Sequence, residues 1–340
     1  MVILAFETSC DETSCAVVTG NGTVRAASNI IASQVELHQR FGGVVPEIAS
    51  RSHVEAIIPV LDRALAGAGI EPHEVNAIAA TFGPGLVGSL LVGLSAGKAA
   101  SSALGVPLIG INHIEAHIYA NFLEHPDLSP PLVCLTVSGG HTDLVYFRDH
   151  GDYEVIGRTR DDAAGEAFDK VARMLGLGYP GGPAIDRLAA SGDPRAINLP
   201  RAYLEDESYD FSFSGIKTAV LNYVNGLRQR GREIPVQDLA ASFQAAVIEV
   251  LAEKAIRAAT AFRVRRLALS GGVAANRALR RLLEERCRDV GLELYYPSIS
   301  LCTDNAAMVG CAGYYHYTRG RIGGGPVNAV PGIALGRVGS

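Results

Sequence analysis

A chain of 340 residues with 48% hydrophobic content can bury a sizeable core, and its length favours two domains over one. A net charge of −5 excludes an overall basic field that would draw nucleic acid in by counterion release, so an RNA substrate would have to be met by a local patch or a partner. The start MVILAFETSCDE lacks the charged leader and long apolar run of a signal peptide, and the cysteines form no CxxC pair, which together predict a cytoplasmic protein with reduced thiols.

In chain order, VILAFETS reads as an apolar strand, SCDET as a tight polar turn and SCAVVTG as a returning strand. HVEAIIPVLDRALAGAG has apolar residues at helical spacing and stops at glycine. NAIAATFGPGLVGSLLVGLSAGKAAS continues as strand, Gly-Pro turn and long helix. Its glycines and Lys98 make that apolar region a poor membrane span and predict a buried helix. VPLIGI is a strand that delivers the chain to INHIEAH. PLVCLTV, SGGHT and DLVYF then repeat the opening strand, small-residue turn and strand, the sign of a duplicated domain that grips a ligand between two such turns. Asp193 to Phe213 shows neither period and is predicted to be a long surface loop. RRLALSGGVAANRALRRLLEERCRD is again strand, glycine turn and helix, and ELYYPS another strand, so the class is α/β.

His113 and His117 stand four residues apart, as in zinc peptidases of the HExxH type, but Ile114 occupies the place of the catalytic glutamate. Glu115 lies about 200° round a helix from His113 and points away from the face the histidines share. The pair reads equally as metal ligands or as hydrogen-bonded histidines at a helix end. Asp304 in SLCTDNAAMVG is a third candidate ligand, and two histidines with a carboxylate suit zinc or iron with positions open to substrate. Its competing role is helix N-cap, which could coexist with Asn305. VSGGH, YPGGPAID and LSGGVAAN place paired glycines where backbone N–H groups can cradle an anion, with Asp186 set to accept from ribose hydroxyls and Asn276 able to hydrogen-bond a phosphate or base. Helix capping competes for both. Asp11 and Glu12 sit in the first hairpin turn, as a catalytic carboxylate or as ordinary turn residues. No Walker A sequence is present.

Taken together, ETSCDETS, HIEAH, TVSGGHTDLV, AGEAFDKVARMLGLGYPGGPAID, DFSFSGIKTAV, ASFQAAV, LSGGVAANRALR and CTDNAAMVG resemble the TsaD family of tRNA threonylcarbamoyladenosine synthases, in the same order and over nearly the whole chain. The family was once named O-sialoglycoprotein endopeptidase. The resemblance implies the two-lobed actin/hexokinase/Hsp70-like (ASKHA) fold with duplicated ribonuclease H-like domains. Residues 1–131 would form the first lobe, completed by 305–330, and residues 132–304 the second. It implies a metal ion, iron or zinc, on His113, His117 and Asp304. Thr136, Val137, Ser138, Gly139, Gly140, Asp169, Gly182, Asp186 and Asn276 would hold threonylcarbamoyl-adenylate. The implied reaction moves the threonylcarbamoyl group to N6 of adenosine 37 in tRNAs reading ANN codons, and AMP leaves. Asp11 is the candidate to accept the amine proton. Implied partners are tRNA, a paralogous TsaB-type subunit and a TsaE-type ATPase, with no membrane. Rival readings are a metallopeptidase, opposed by Glu115; a sugar kinase of the same fold, which does not need the histidine pair; an iron oxygenase, which needs a strand-rich barrel; and a non-catalytic paralogue, which would lack the metal residues.

Overall fold

A computed structural model describes residues 1–205, 207–322 and 327–336. Residues 323–326 of the expected returning segment 305–330 lie outside the described residues. The chain divides into two compact units, the first formed by Met1–Ser129, Asp149–Tyr153 and Pro297–Ser340, the second by Pro130–Arg148 and Glu154–Tyr296.

The first unit is built on a five-stranded sheet of order β3-β2-β1-β4-β5. Here β1 is Val2–Glu7, β2 Glu12–Gly20, β3 Val24–Ser33, β4 Ala77–Gly83 and β5 Leu108–Asn112. β1 to β3 run antiparallel, while β4 and β5 extend parallel from β1. The opening strand is buried at almost every position because it is central and covered on both faces, so its sequence is a continuous apolar run rather than an alternation. Leu4, Phe6, Val17, Ile57, Val60, Ile78 and Leu94 make its core with the helices Pro46–Ala68 and Val87–Leu104. The first of these helices starts seven residues before the predicted HVEAIIP segment, because Pro46 is accommodated in its first turn, where no N–H is needed; it ends at Gly69 with φ +64°, as predicted.

Helix Val87–Leu104 was expected to be buried, and it is buried on one side only. Leu90, Gly93, Leu94 and Gly97 are covered, whereas Val87 and Leu91 are 56% and 52% exposed. Gly93 lets the backbone approach β1's end so closely that a Cβ there would lie 2.4 Å from Thr8 Oγ1. By length and composition this helix alone among the described ones passes for a membrane span.

The second unit repeats the plan with order β10-β9-β6-β7-β8. β6 is Leu132–Val137, β7 Thr142–Asp149, β8 Asp152–Arg158, β9 Arg266–Ser270 and β10 Glu293–Tyr295. β6 pairs antiparallel with β7 and parallel with β9, and β10 runs parallel to β9. The arrangement matches that of β1, β2, β4 and β5, so the duplicated hairpins read in the sequence correspond to duplicated sheets. Phe168 and Phe243 meet edge to face at 5.1 Å in the core of this unit. Residues 193–213 form neither helix nor strand, as predicted, apart from one bridge at Phe211 and the undescribed residue 206.

Candidate metal centre and glycine turns

β5 ends at Asn112, whose side chain accepts from the N–H groups of Ile114 and Glu115 and so starts the helix His113–Glu124. This cap puts His113 and His117 one above the other on successive turns. At the other end of the chain, the helix Ala306–Thr318 is capped by Asn305, whose Oδ1 accepts from Met308 N–H. The N-cap role weighed for Asp304 thus belongs to its neighbour, and the Asp304 carboxylate faces the histidines. Its Oδ1 lies 3.3 Å from His117 Nε2 and 3.6 Å from His113 Nε2. The three ligand atoms lie within 4.8 Å of one another.

These residues fit a metal ion. Ligands bound at about 2.0–2.1 Å in tetrahedral array stand roughly 3.4 Å apart, the spacing of both histidines from Asp304. His117 is fully buried; its Nδ1 has no hydrogen-bond partner among the described residues, and its Nε2 faces the Asp304 carboxylate alone. A buried imidazole left in that state is costly unless a further group takes its lone pair. His113 is oriented from behind: Glu7 Oε2 is 3.2 Å from its Nδ1, and Ser9 Oγ 3.1 Å. Thr81 Oγ1 and Ser9 N–H donate to the same carboxylate, at 2.6 and 2.5 Å. A histidine ligand held by a carboxylate on its other nitrogen is the usual support of a metal site. Burial opposes charge on His113, but the Asp304 and Glu7 carboxylates outweigh it and raise its pKa to about 9. At His117 burial wins over Asp304 and holds the pKa below the ordinary value. Burial would raise the Glu7 carboxyl, yet the charge and hydrogen bond of His113 keep it below the usual range.

Glu115 is buried and bonded to His316 Nε2 at 2.8 Å, so its carboxylate is committed away from the histidines. Asp11 is 6% exposed, and its Oδ2 has no hydrogen-bond partner. Beside it, burial together with Asp304 and Asp11 raises the Glu12 carboxyl to about 10. Sequence reasoning missed Glu7 and Ser9; the only sign was an acid at the end of an otherwise apolar strand.

In the second unit Thr136 and Val137 are buried at the end of β6, where Thr136 Oγ1 meets Ser270 Oγ at 2.9 Å. Ser138, Gly139 and Gly140 form the turn to β7, with both glycines exposed and no atom within 4 Å of a built Cβ. Gly271, at φ +86°, has its Cβ position 2.4 Å from Val137 O, so the turn after β9 must be glycine to lie against the end of β6. Asp169 Oδ1 accepts from Gly181 N–H at 2.7 Å, fixing the start of the helix Gly181–Ala189 that carries Gly182 and Asp186. Asp186 pairs with Arg277 at 2.8 Å. Asn276 caps the helix Arg277–Val290 through Leu279 N–H and donates to Gln244 Oε1 at 2.7 Å, so both capping and a polar network engage it. A trough of about 390 Å³ nearby, floored by Ala189, Ala241 and Leu282, is edged by Asp186, Arg195 and Arg281.

Residues 25–311 match the family TsaD: tRNA N6-adenosine threonylcarbamoyltransferase. A protein of that name from Moorella thermoacetica is 57% identical over 333 residues, covering 98% of this chain and 97% of the relative. Another, from Clostridioides difficile strain 630, is 54% identical over 335 residues and 98% of both chains. Among solved structures, HypF of T. kodakarensis aligns with a TM-score of 0.62 at 15% identity, over 94% of this chain and 48% of that one, so this chain spans about half of HypF. The activator of 2-hydroxyisocaproyl-CoA dehydratase from Clostridium difficile aligns with a TM-score of 0.51 at 13% identity over 95% of this chain and 96% of that one. These likenesses show the fold, a two-lobed α/β architecture of the actin-like ASKHA kind. With the family match spanning most of the sequence and near relatives matching end to end, the chain belongs to the TsaD family of tRNA N6-adenosine threonylcarbamoyltransferases.

Proposed function

We propose that the protein transfers the threonylcarbamoyl group of threonylcarbamoyl-adenylate to N6 of adenosine 37 in tRNAs reading ANN codons. The observation that carries this reading is the convergence of His113, His117 and Asp304 while Glu115 is bonded to His316. Peptide hydrolysis at such a centre requires a carboxylate beside the metal-bound water, and Glu115 is committed elsewhere.

His113, His117 and Asp304 would hold one ion, iron or zinc, and when bound it supplies a Lewis acid for the threonylcarbamoyl oxygens. Residues Thr136 to Gly140, Asp169, Gly182, Asp186 and Asn276 would bind the adenylate: turn amides hold its phosphate and Asp186 its ribose. The exocyclic amine attacks the carbamoyl carbon, the bond from that carbon to the phosphate oxygen breaks, and AMP leaves with the electron pair. Asp11 accepts the proton released by the amine; its partnerless Oδ2 supports that role. The mixed anhydride supplies the driving force, so the protein contributes mainly position and charge stabilisation.

Cytoplasmic tRNA is the partner substrate. The second unit carries 22 Lys and Arg against 20 Asp and Glu, the first 8 against 15, and this division supports tRNA contact through the second unit. A paralogous TsaB-type subunit and a TsaE-type ATPase complete the assembly. Val54, Ile58, Val87 and Leu91, all more than half exposed on two helices of the first unit, support an apolar contact with another subunit.

The test combines the protein, its partner subunits, threonylcarbamoyl-adenylate and an ANN-decoding tRNA, with a glycopeptide control. Modified adenosine is expected only with His113 and His117 intact. Metal-dependent cleavage of the glycopeptide, with the tRNA unchanged, would overturn the reading.

A further inference from the structure

We propose that His53 and Gln34 are positioning residues for Asp11, clamping the backbone on both sides of it through a fully paired chain of buried hydrogen bonds. The inference rests on Asp11 acting as the proton acceptor.

Each group in the chain has one self-consistent role. Cys10 O can only accept, so His53 Nε2, 2.9 Å away, carries the ring proton. His53 Nδ1 is then an acceptor, and it takes Thr13 O–H at 2.7 Å and Gln34 Nε2–H at 3.3 Å. The second amide hydrogen of Gln34 points to Ala49 O at 3.4 Å. Gln34 Oε1 must therefore accept, and His38 Nε2 donates to it at 3.2 Å. That leaves His38 Nδ1 to accept Val45 N–H at 3.3 Å. Finally, the Gln34 backbone N–H donates to Asp11 O at 3.0 Å. Thr13, His38 and His53 are fully buried and Gln34 nearly so. Burial holds His53 below the ordinary histidine value despite its bond to Cys10 O and the charges of Glu7 and Asp11, so the neutral ring assumed by these assignments is the favoured form.

Two successive carbonyls, Cys10 O and Asp11 O, are thus fixed, while Asp11 Oδ2 has no partner among the described residues. A network satisfied at every member is rigid. Here its rigidity serves a carboxylate with one oxygen, Oδ2, left without a partner among the described residues, which is the arrangement of a group held ready for a reacting proton.

The variants are His53→Gln and His53→Asn. Glutamine sets its amide N–H where Nε2 stood and keeps the link to Cys10 O. Asparagine reproduces Nδ1, keeps a partner for Thr13 and loses the link. With the reconstituted system, His53→Asn is expected to lower kcat by about 10- to 100-fold with KM for tRNA and adenylate within about threefold, and His53→Gln to retain kcat within about threefold. Metal content and Tm are measured alongside. Independently of any variant, the 15N shifts of His53 should show its proton on Nε2; a proton on Nδ1 would overturn the inference. Equal and near-normal kcat in both folded variants would do the same. Asp11→Ala separates the layers: if it abolishes transfer while His53→Asn does not, only the clamp fails, and if Asp11→Ala transfers normally, the role of Asp11 falls first.

Discussion

With Oε2 3.2 Å from His113 Nδ1, Glu7 accepts from that nitrogen and keeps its proton there, so that Nε2, turned to Asp304, is the atom that would lose its proton to bind an ion. Replacing the carboxylate by an amide keeps the shape and removes the charge that fixes the tautomer. Glu7→Gln should therefore weaken metal binding by about tenfold or more, read by competition with a chromophoric chelator. Unchanged affinity would mean that packing alone orients the ring. At this scale the sequence was informative about ligands and silent about their support. Four-residue spacing brought out His113 and His117, because a helix makes such neighbours adjacent. Glu7 is 106 residues from the histidine it holds, and nothing local in VILAFE distinguishes a buried ion partner from the polar end of a strand. Asp304 was legible as a third candidate ligand, but its competing cap role was open until Asn305 was seen to take the cap.

Two asparagine caps decide where the candidate metal ligands stand, and each belongs to a helix as a whole. Asn305 is fully buried, accepts from Met308 N–H and donates to Thr303 O at 2.8 Å, so it sets both the start of its helix and the turn that carries Asp304. Asn305→Ala should cost about 1 kcal/mol in thermal unfolding and also reduce metal occupancy. Loss of stability with full occupancy would detach the cap from the site. The turn between β7 and β8 poses a different question of charge. His150 stacks on Tyr315 at 3.7 Å, and Asp149 beside it pairs with Arg319. Burial and then Arg319 depress the His150 pKa to about 4 from 6.5. The fold therefore favours the neutral ring, and unfolding takes up a proton in between. Its stabilising contribution is complete above pH 6.5 and is lost as pH falls towards 4. His150→Phe keeps an aromatic stack and cannot titrate, so urea midpoints measured from pH 7 to pH 4 should fall less steeply than in the parent protein. Helix and strand types were legible from periodicity, whereas the half-exposure of Val87–Leu104 was not, since an apolar helix reads alike whether its outer face meets protein or solvent.

For the whole molecule, the duplication was the most legible feature, because a strand, a small-residue turn and a strand recur in the sequence with the same local pattern. Charge distribution was not legible as such: a net −5 conceals a near-neutral second unit and a strongly acidic first. Arg195 and Arg281 have no salt bridge among the described residues, although they edge one trough with Asp186. If tRNA phosphates meet that edge, the Arg195→Ala, Arg281→Ala double variant should lower tRNA affinity and reduce the slope of log K against log salt by about one to two. An unaltered slope would send the contact elsewhere.

The first unit is assembled from three separate stretches of chain, and the candidate metal ligands come from the first and the last of them. During synthesis the histidines therefore emerge long before the aspartate, and the intervening time is spent making the entire second unit. A chain that stops short of Asp304 has both histidines and lacks the carboxylate that completes the candidate centre. The candidate centre is thus complete only in a chain extended past residue 304, and an ion held by all three ligands would mark such a chain.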